Sequence, residues 1–181
     1  FSTAKKIESL LKSWGIKTER LIDTGVVASI TKGKNPYKNI GLRADTDALP
    51  IEEETGLPYA SQHHGVMHAC GHDGHTATLL MAAKYLKYEA EFNGTVTLIF
   101  QPDEEDTAGA KRMIEAGLFE KYPIDAVFGY HNFTGAPTGT VGNDSAHVRG
   151  ALSRLSSRVD RGGGRDRRRP VAGAREDDDR S

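Results

Sequence analysis

Apolar positions in the first fourteen residues recur at helical spacing: Ile7, Leu10, Leu11 and Trp14, with Lys5, Lys6 and Lys12 on other faces. Gly15 stands where a glycine commonly closes a helix. The run 25–31 is rich in β-branched residues and is followed by Lys32-Gly-Lys-Asn-Pro-Tyr37, which predicts a strand and then a turn. A second strand is predicted over 39–44, ending at Asp45-Thr-Asp47, and residues 48–69, broken by Pro50, Gly56, Pro58 and Gly65, read as loop. From Gly74 to Tyr88 the chain is apolar on most faces, the pattern of a helix laid against a sheet. Thr95-Val-Thr-Leu-Ile-Phe100 is the clearest strand; a helix over 108–116 stops at Gly117, and 124–128 is the last strand. Strands alternating with helices predict an α/β fold around a mostly parallel sheet.

Composition sharpens this picture at one boundary. Over the whole chain, 24 Lys+Arg nearly cancel 25 Asp+Glu, but the average hides two unlike pieces. Residues 1–142 carry 14 basic and 18 acidic groups, almost all of the basic ones Lys; residues 143–181 carry ten Arg and no Lys, seven acidic groups, and no Ile, Phe, Tyr, Trp, Met or Cys. The expectation is therefore one domain over 1–142 and an Arg-rich, disordered tail over 143–181, with at most a helical turn or two around Ala151, Leu152, Leu155 and Val159. The abrupt exchange of Lys for Arg has the look of a shifted reading frame in a GC-rich gene. The acidic balance of 1–142 argues against a nucleic-acid binder. No apolar run approaches the roughly 20 residues of a membrane helix, which sets the expectation of a cytoplasmic chain without membrane contact. The chain begins at Phe1 rather than Met, so any leader would precede it.

Chemistry is concentrated in His68-Ala-Cys70-Gly-His72-Asp73-Gly-His75, with His63 and His64 just upstream. Cys-x-His brings a thiolate and an imidazole to one turn, a spacing suited to a Zn²⁺-like ion, and glycines at 71 and 74 allow that turn to be tight. A helix opening near His75 is expected to favour the Cys70 thiolate. The single cysteine excludes an internal disulfide. A second candidate is Glu104-Glu105, directly after the 95–100 strand, where one carboxylate can ligate an ion and the other accept a proton. The third is His131, just beyond the 124–128 strand. In an open α/β sheet such strand ends converge on the ligand crevice. Taken singly, each has a bland alternative: a solvated acidic turn, a surface histidine, a packed thiol. Asp45 and Asp47 read equally as turn residues or as supports for a ligand, and His147 reads as inert. A cysteine hydrolase using Cys70 and a nearby histidine is a further alternative.

Leu42-Arg-Ala-Asp-Thr-Asp-Ala-Leu-Pro50, Met67-His-Ala-Cys-Gly-His-Asp-Gly-His75, Phe100-Gln-Pro-Asp-Glu-Glu105 and Gly139-Thr-Val-Gly142 together resemble the aminoacylase-like metallopeptidases. Within them the chain looks most like the amidohydrolase branch of hippurate hydrolases, N-acyl-amino-acid amidohydrolases and auxin-conjugate hydrolases. The resemblance implies a zinc-peptidase-like three-layer α/β domain holding one or two divalent ions, zinc, manganese or cobalt. It implies Cys70, His72, Glu105 and His131 as ligands, Glu104 as the general base that deprotonates the attacking water, and Asp45, Asp47, Asp73 and His75 as supports. The implied substrate is an N-acyl amino acid cleaved at its amide bond; no substrate-binding residue can be named.

The resemblance fades near Gly142, where the family's lid and dimerisation domain is expected to begin, and the family's last histidine ligand lies beyond it. The chain is thus expected to be the N-terminal part of a catalytic domain, its sheet incomplete at the C-terminal end. As written it is expected to be weakly active or inactive, retaining at most the capacity to bind an ion or a partner, and to lack the family's means of forming a homodimer.

Overall fold

The computed structural model describes residues 2–35, 37–106, 108–133 and 137–142. The expectations for the 143–181 tail, including His147, lie outside the described residues. Among the described residues the elements run α1 (Ser2–Ser13), β1 (Thr18–Arg20), β2 (Val26–Lys32), β3 (Asn39–Asp45), α2 (His72–Tyr88), β4 (Gly94–Gln101), α3 (Gly109–Glu115), α4 (Leu118–Lys121) and β5 (Ala126–Gly129).

α1 follows the predicted stripe, burying Ala4, Ile7 and Leu11. The strands form a five-stranded sheet in the order β1-β2-β4-β3-β5. Its faces are read directly from the period of two along each strand. Val26, Ala28 and Ile30 of β2 and Val96, Leu98 and Phe100 of β4 turn to one side, where they pack with α1 and with Leu79 and Ala83 of α2. Val27 and Ile99 turn to the other, against Ala110 and Met113 of α3 and Leu118 of α4. Helices on both faces make three layers, as expected.

The share of parallel pairing is a correction. β3 pairs β4 and β5 in parallel, but β2 pairs both β1 and β4 antiparallel, so the sheet is mixed rather than mostly parallel. The five residues between β1 and β2 are too few for a crossover, and only a reversal fits. The parallel trio β4-β3-β5 positions the candidate residues, because its three C-terminal ends fall on one edge of the sheet. Two further differences concern short elements. β1 gives no signal in the sequence because Thr18-Glu19-Arg20 is polar throughout and only half-buried, and α4 is a four-residue turn of helix behind Gly117. Among the described residues, no helix is long and apolar enough to cross a membrane.

Candidate metal centre

Each candidate side chain comes from a strand end or the turn after it, or from the start of a helix. β3 delivers Asp45 and then Asp47; β4 delivers Gln101 and, past Pro102, the Glu104-Glu105 pair; β5 delivers His131. The fourth supplier is the start of α2. That helix begins at His72, three residues earlier than His75, because Gly71 occupies its N-cap with φ 85°, a left-handed conformation in which glycine carries no Cβ penalty. The helix therefore carries both His72 and His75 inward, each almost fully buried, and leaves Cys70 on the turn before it.

His72 is the hub. Its Nδ1 lies 3.1 Å from both the backbone oxygen and the Oδ1 of Asp47. The other Asp47 oxygen accepts the backbone N–H groups of Glu104 at 2.9 Å and Glu105 at 3.2 Å. One carboxylate thus fixes the ring of His72 and the backbone of the glutamate pair. His72 Nε2, on the opposite side of the ring, is buried and has no hydrogen-bond partner. Cys70 Sγ and His131 Nε2 are 3.4 Å apart, and His131 sits edge-on to His72 at 6.1 Å between ring centroids.

Three groupings of potential ligand atoms, each set lying within 4.8 Å, include His72: with Cys70 and His131, with Glu104 and Glu105, and with Asp45 and His75. The last is already closed. Asp45 Oδ2 accepts Arg43 Nη1 at 2.7 Å, and Asp45 Oδ1 accepts His75 Nδ1 at 2.6 Å. Arg43 is buried and also donates to Gln101 Oε1 at 2.8 Å. Burial pushes the Asp45 carboxyl up, but the Arg43 guanidinium, the His75 hydrogen bond and the neighbouring imidazoles outweigh it and hold the group below its ordinary 3.8. A guanidinium already bonded to Asp45 leaves that grouping no need of a cation.

The other two groupings fit one. A buried imidazole nitrogen without a partner costs desolvation energy unless something takes its lone pair. Around it stand a thiol, a second imidazole and two carboxylates, a donor set that suits zinc and tolerates manganese or cobalt. The expectation that the helix N-terminus favours the Cys70 thiolate is corrected. Burial, the Glu105 hydrogen bond and the charges of Glu105, Asp45 and Glu104 push its thiol from 9.0 to about 11. Burial, with three carboxylates added to it, outweighs half a charge of helix dipole, and a cation among them would reverse the electrostatic part of the balance.

The other sequence candidates divide cleanly. Asp73 is exposed, and its Oδ1 accepts the N–H of the adjacent Gly74 at 2.8 Å; it stands in none of the three groupings. His63 and His64 lie on the 48–69 loop beside Glu52 and Glu53, lining a separate shallow cavity. Three participants escape a reading of the sequence alone: Arg43, Gln101 and Asn132, whose backbone N–H donates to His75 Nε2 at 3.0 Å. Arg43-Ala-Asp45 does carry a signal, since two charges on alternate positions of a central strand share a face and must pair if that face is buried.

Residues 41–161 match the sequence profile of the peptidase family M20/M25/M40, and the chain belongs to this family of hydrolases. The match continues past Gly142. The chain is 57% identical over 131 residues to a hippurate hydrolase of Campylobacter jejuni, covering 72% of this chain and 34% of that protein. It is 47% identical over 162 residues to an N-acetyl-L-cysteine deacetylase of Bacillus subtilis, covering 88% of this chain and 38% of that one. The fold superposes on the crystal structure of the Bacillus subtilis YXEP protein, a dinuclear metal binding peptidase from the M20 family. The TM-score is 0.72 at 44% identity, over 79% of this chain and 40% of that one. The chain spans roughly a third to two fifths of the length of these relatives.

Proposed function

We propose that this chain contributes the ion-binding and proton-transfer residues of a metal-dependent amidohydrolase acting on N-acyl amino acids. The observation that carries the reading is His72 Nε2, buried and without a hydrogen-bond partner, 3.5 Å from Asp45 Oδ2 and 3.9 Å from Glu105 Oε1, in a cluster with Cys70, His131 and Glu104. Cys70, His72, Glu105 and His131 would hold a divalent ion, with the cluster's carboxylates available to a second. When bound, the ion supplies Lewis acidity for activating water and polarising an amide carbonyl. Glu104 takes the proton of the attacking water at its carboxylate and returns it to the departing amine. Asp47 keeps Glu104 and Glu105 at a fixed distance from His72 through their backbone N–H groups. The names of the relatives, a hippurate hydrolase and an N-acetyl-L-cysteine deacetylase, support an acylated amino acid as the substrate class.

The test has two readouts on the same purified chain: cobalt or zinc bound per chain, and hydrolysis of N-benzoyl- and N-acetyl-amino acids with each metal. Glu104→Gln should leave cobalt affinity nearly unchanged and cut whatever hydrolysis is present by about 100- to 10,000-fold; Glu105→Gln should weaken cobalt binding instead. Absence of stoichiometric metal binding by a folded chain overturns the reading. So does hydrolysis that survives exhaustive chelation but is abolished by thiol alkylation, which would favour a Cys70 nucleophile.

A further inference from the structure

His131 lies at the weakest-supported point of the centre. β5 has four residues, its last two are exposed, and Tyr130, His131, Asn132 and Phe133 are exposed in turn. Little packing from the strand itself can aim the imidazole, yet its Nε2 stands 3.4 Å from Cys70 Sγ. The aim comes from two sources: the His75 ring packs edge-on against it at 4.5 Å between centroids, and the backbone of the next residue sets its rotation. His131 Nδ1 donates to the Asn132 carbonyl oxygen at 2.6 Å, which makes Nδ1 the protonated nitrogen and frees Nε2 to face Cys70. The Asn132 N–H in turn donates to His75 Nε2 at 3.0 Å. His75 is held from its other side by Asp45, and Asp45 by Arg43. Asn132 Oδ1 also lies against His75 Nε2. Oδ1 and the backbone N–H compete for that nitrogen, since an amide oxygen only accepts and would need Nε2–H, whereas the N–H needs a bare Nε2. A Cβ at Gly71 would come within 2.7 Å of that amide, so the Asn132 side chain seats on the bare backbone between Cys70 and His72.

We infer that His75 is a positioning residue for His131, acting through the two backbone groups of Asn132, so that the buried Arg43–Asp45 pair on β3 ultimately orients an imidazole carried on the loop after β5. Three links run in series: Asp45 fixes the His75 ring with Nδ1 protonated, His75 Nε2 fixes the Asn132 N–H, and the Asn132 carbonyl fixes the His131 ring. This rests on the proposed role of His131 as an ion ligand, but its first test needs no ion.

Two variants split the links. His75→Gln can keep an acceptor where Nε2 was while losing the bond to Asp45; His75→Asn can keep a donor toward Asp45 while losing its reach to Asn132. Imidazole ¹⁵N shifts in the metal-free chain report the His131 tautomer. The unaltered chain is expected to show Nδ1–H, His75→Asn a mixture or Nε2–H, and His75→Gln a smaller departure in the same direction. Cobalt affinity should fall by about 10- to 100-fold in His75→Asn and by less in His75→Gln, which of the two hydrogen bonds loses only the link to Asp45. A folded His75→Asn with the His131 tautomer and cobalt affinity unchanged overturns the inference. If His75→Asn does not fold, the unaltered metal-free chain decides. His75 found with Nε2 protonated cannot accept from Asn132 and overturns it; Nδ1–H, with a coupling across the Asn132 N–H···N bond, supports it. Failure of the unaltered chain to bind cobalt would sink the metal reading and leave the tautomer test standing.

Discussion

Asp47 and His72 are joined twice: both the backbone oxygen and the Oδ1 of Asp47 lie 3.1 Å from the ring Nδ1. The same aspartate ties down the backbone of Glu104 and Glu105 with its second oxygen. A residue two positions beyond the end of β3 therefore sets the spacing between an imidazole from α2 and carboxylates from the loop after β4.

Replacing Asp47 by Ala should accordingly disturb both partners. Metal affinity is expected to fall by about 10- to 100-fold, measured by competition with a chromogenic chelator, while α1 and the β1–β2 hairpin keep their hydrogen-exchange protection. Affinity equal to that of the unaltered chain would show that His72 and the glutamates hold their places without Asp47.

Cys70 provides a prediction in pH. A thiol raised to about 11 stays protonated through neutrality, and its nucleophilic thiolate forms only as pH climbs toward that value. In chelator-treated chain, the rate of iodoacetamide labelling should rise with a midpoint near 11 rather than at the ~8.5 of a free thiol. Zinc should block labelling at neutral pH. Rapid labelling of the metal-free chain at neutral pH would contradict the buried, acidic setting and favour an activated cysteine.

Gly109 is a point of close approach. A Cβ there would lie 1.7 Å from the carbonyl oxygen of Pro102, and Asp103 and Ala108 on either side of the glutamate loop already carry positive φ values of 51° and 53°. Gly109→Ala must push the loop off β4. A loss of about 2 kcal/mol, or about 4–8 °C in Tm for a chain of this size, is expected, together with weakened metal binding. An unshifted Tm would mean that the loop relaxes at no cost.

Glu19 ties β1 to α4. It accepts Lys121 Nζ and, at 2.9 Å, Tyr122 Oη; these two bonds hold its carboxyl below the ordinary 4.5. Burial first, and then Glu19, pushes the Tyr122 phenol to about 12. A depressed carboxylate stabilises the fold above its ordinary pKa, and that stabilisation is lost as pH falls through the lowered folded-state value. The Tm gap between the unaltered chain and Glu19→Gln should thus be open at neutral pH and narrow steadily below about pH 4.5. In the variant, the Tyr122 phenolate should also appear at lower pH by ultraviolet titration. A gap independent of pH would show that the carboxylate charge contributes nothing.

Whatever depends on local period or on residue type is legible in the sequence. Ile7 and Leu11 mark the buried stripe of α1, and the alternation in Thr95–Phe100 reveals a strand that serves both faces of the sheet. The convergence of Glu104, Glu105 and His131 on one edge follows from their places after predicted strands, and that of Cys70 and His72 from their place where the loop opens into a helix. What stays hidden depends on partners distant in the chain. Gln101 becomes part of the centre only because β4 lies beside β3, in the register that sets Asp45 opposite Gln101. Asn132 contributes mainly through its backbone, which no side-chain pattern announces. The Cys70 thiol misleads because the dipole at its own helix is local in sequence, whereas the burial that raises it most, and the charges of Glu104 and Glu105 more than thirty residues away, come from tertiary structure.

The lateness of β5 in the chain has a consequence for biosynthesis. Cys70 and His72 emerge from a ribosome long before His131, and the parallel pairing of β5 with β3 brings together segments more than eighty residues apart, Ile40 opposite Ala126. Non-local pairings of this kind are slow to form, because loop closure precedes any reward in contacts. A nascent chain released before β5 docks would offer a thiol and a histidine to passing metal without the second imidazole. On the proposed ligand set, ligation by His131 awaits the docking of β5 against β3, and metal uptake followed during refolding would time that step.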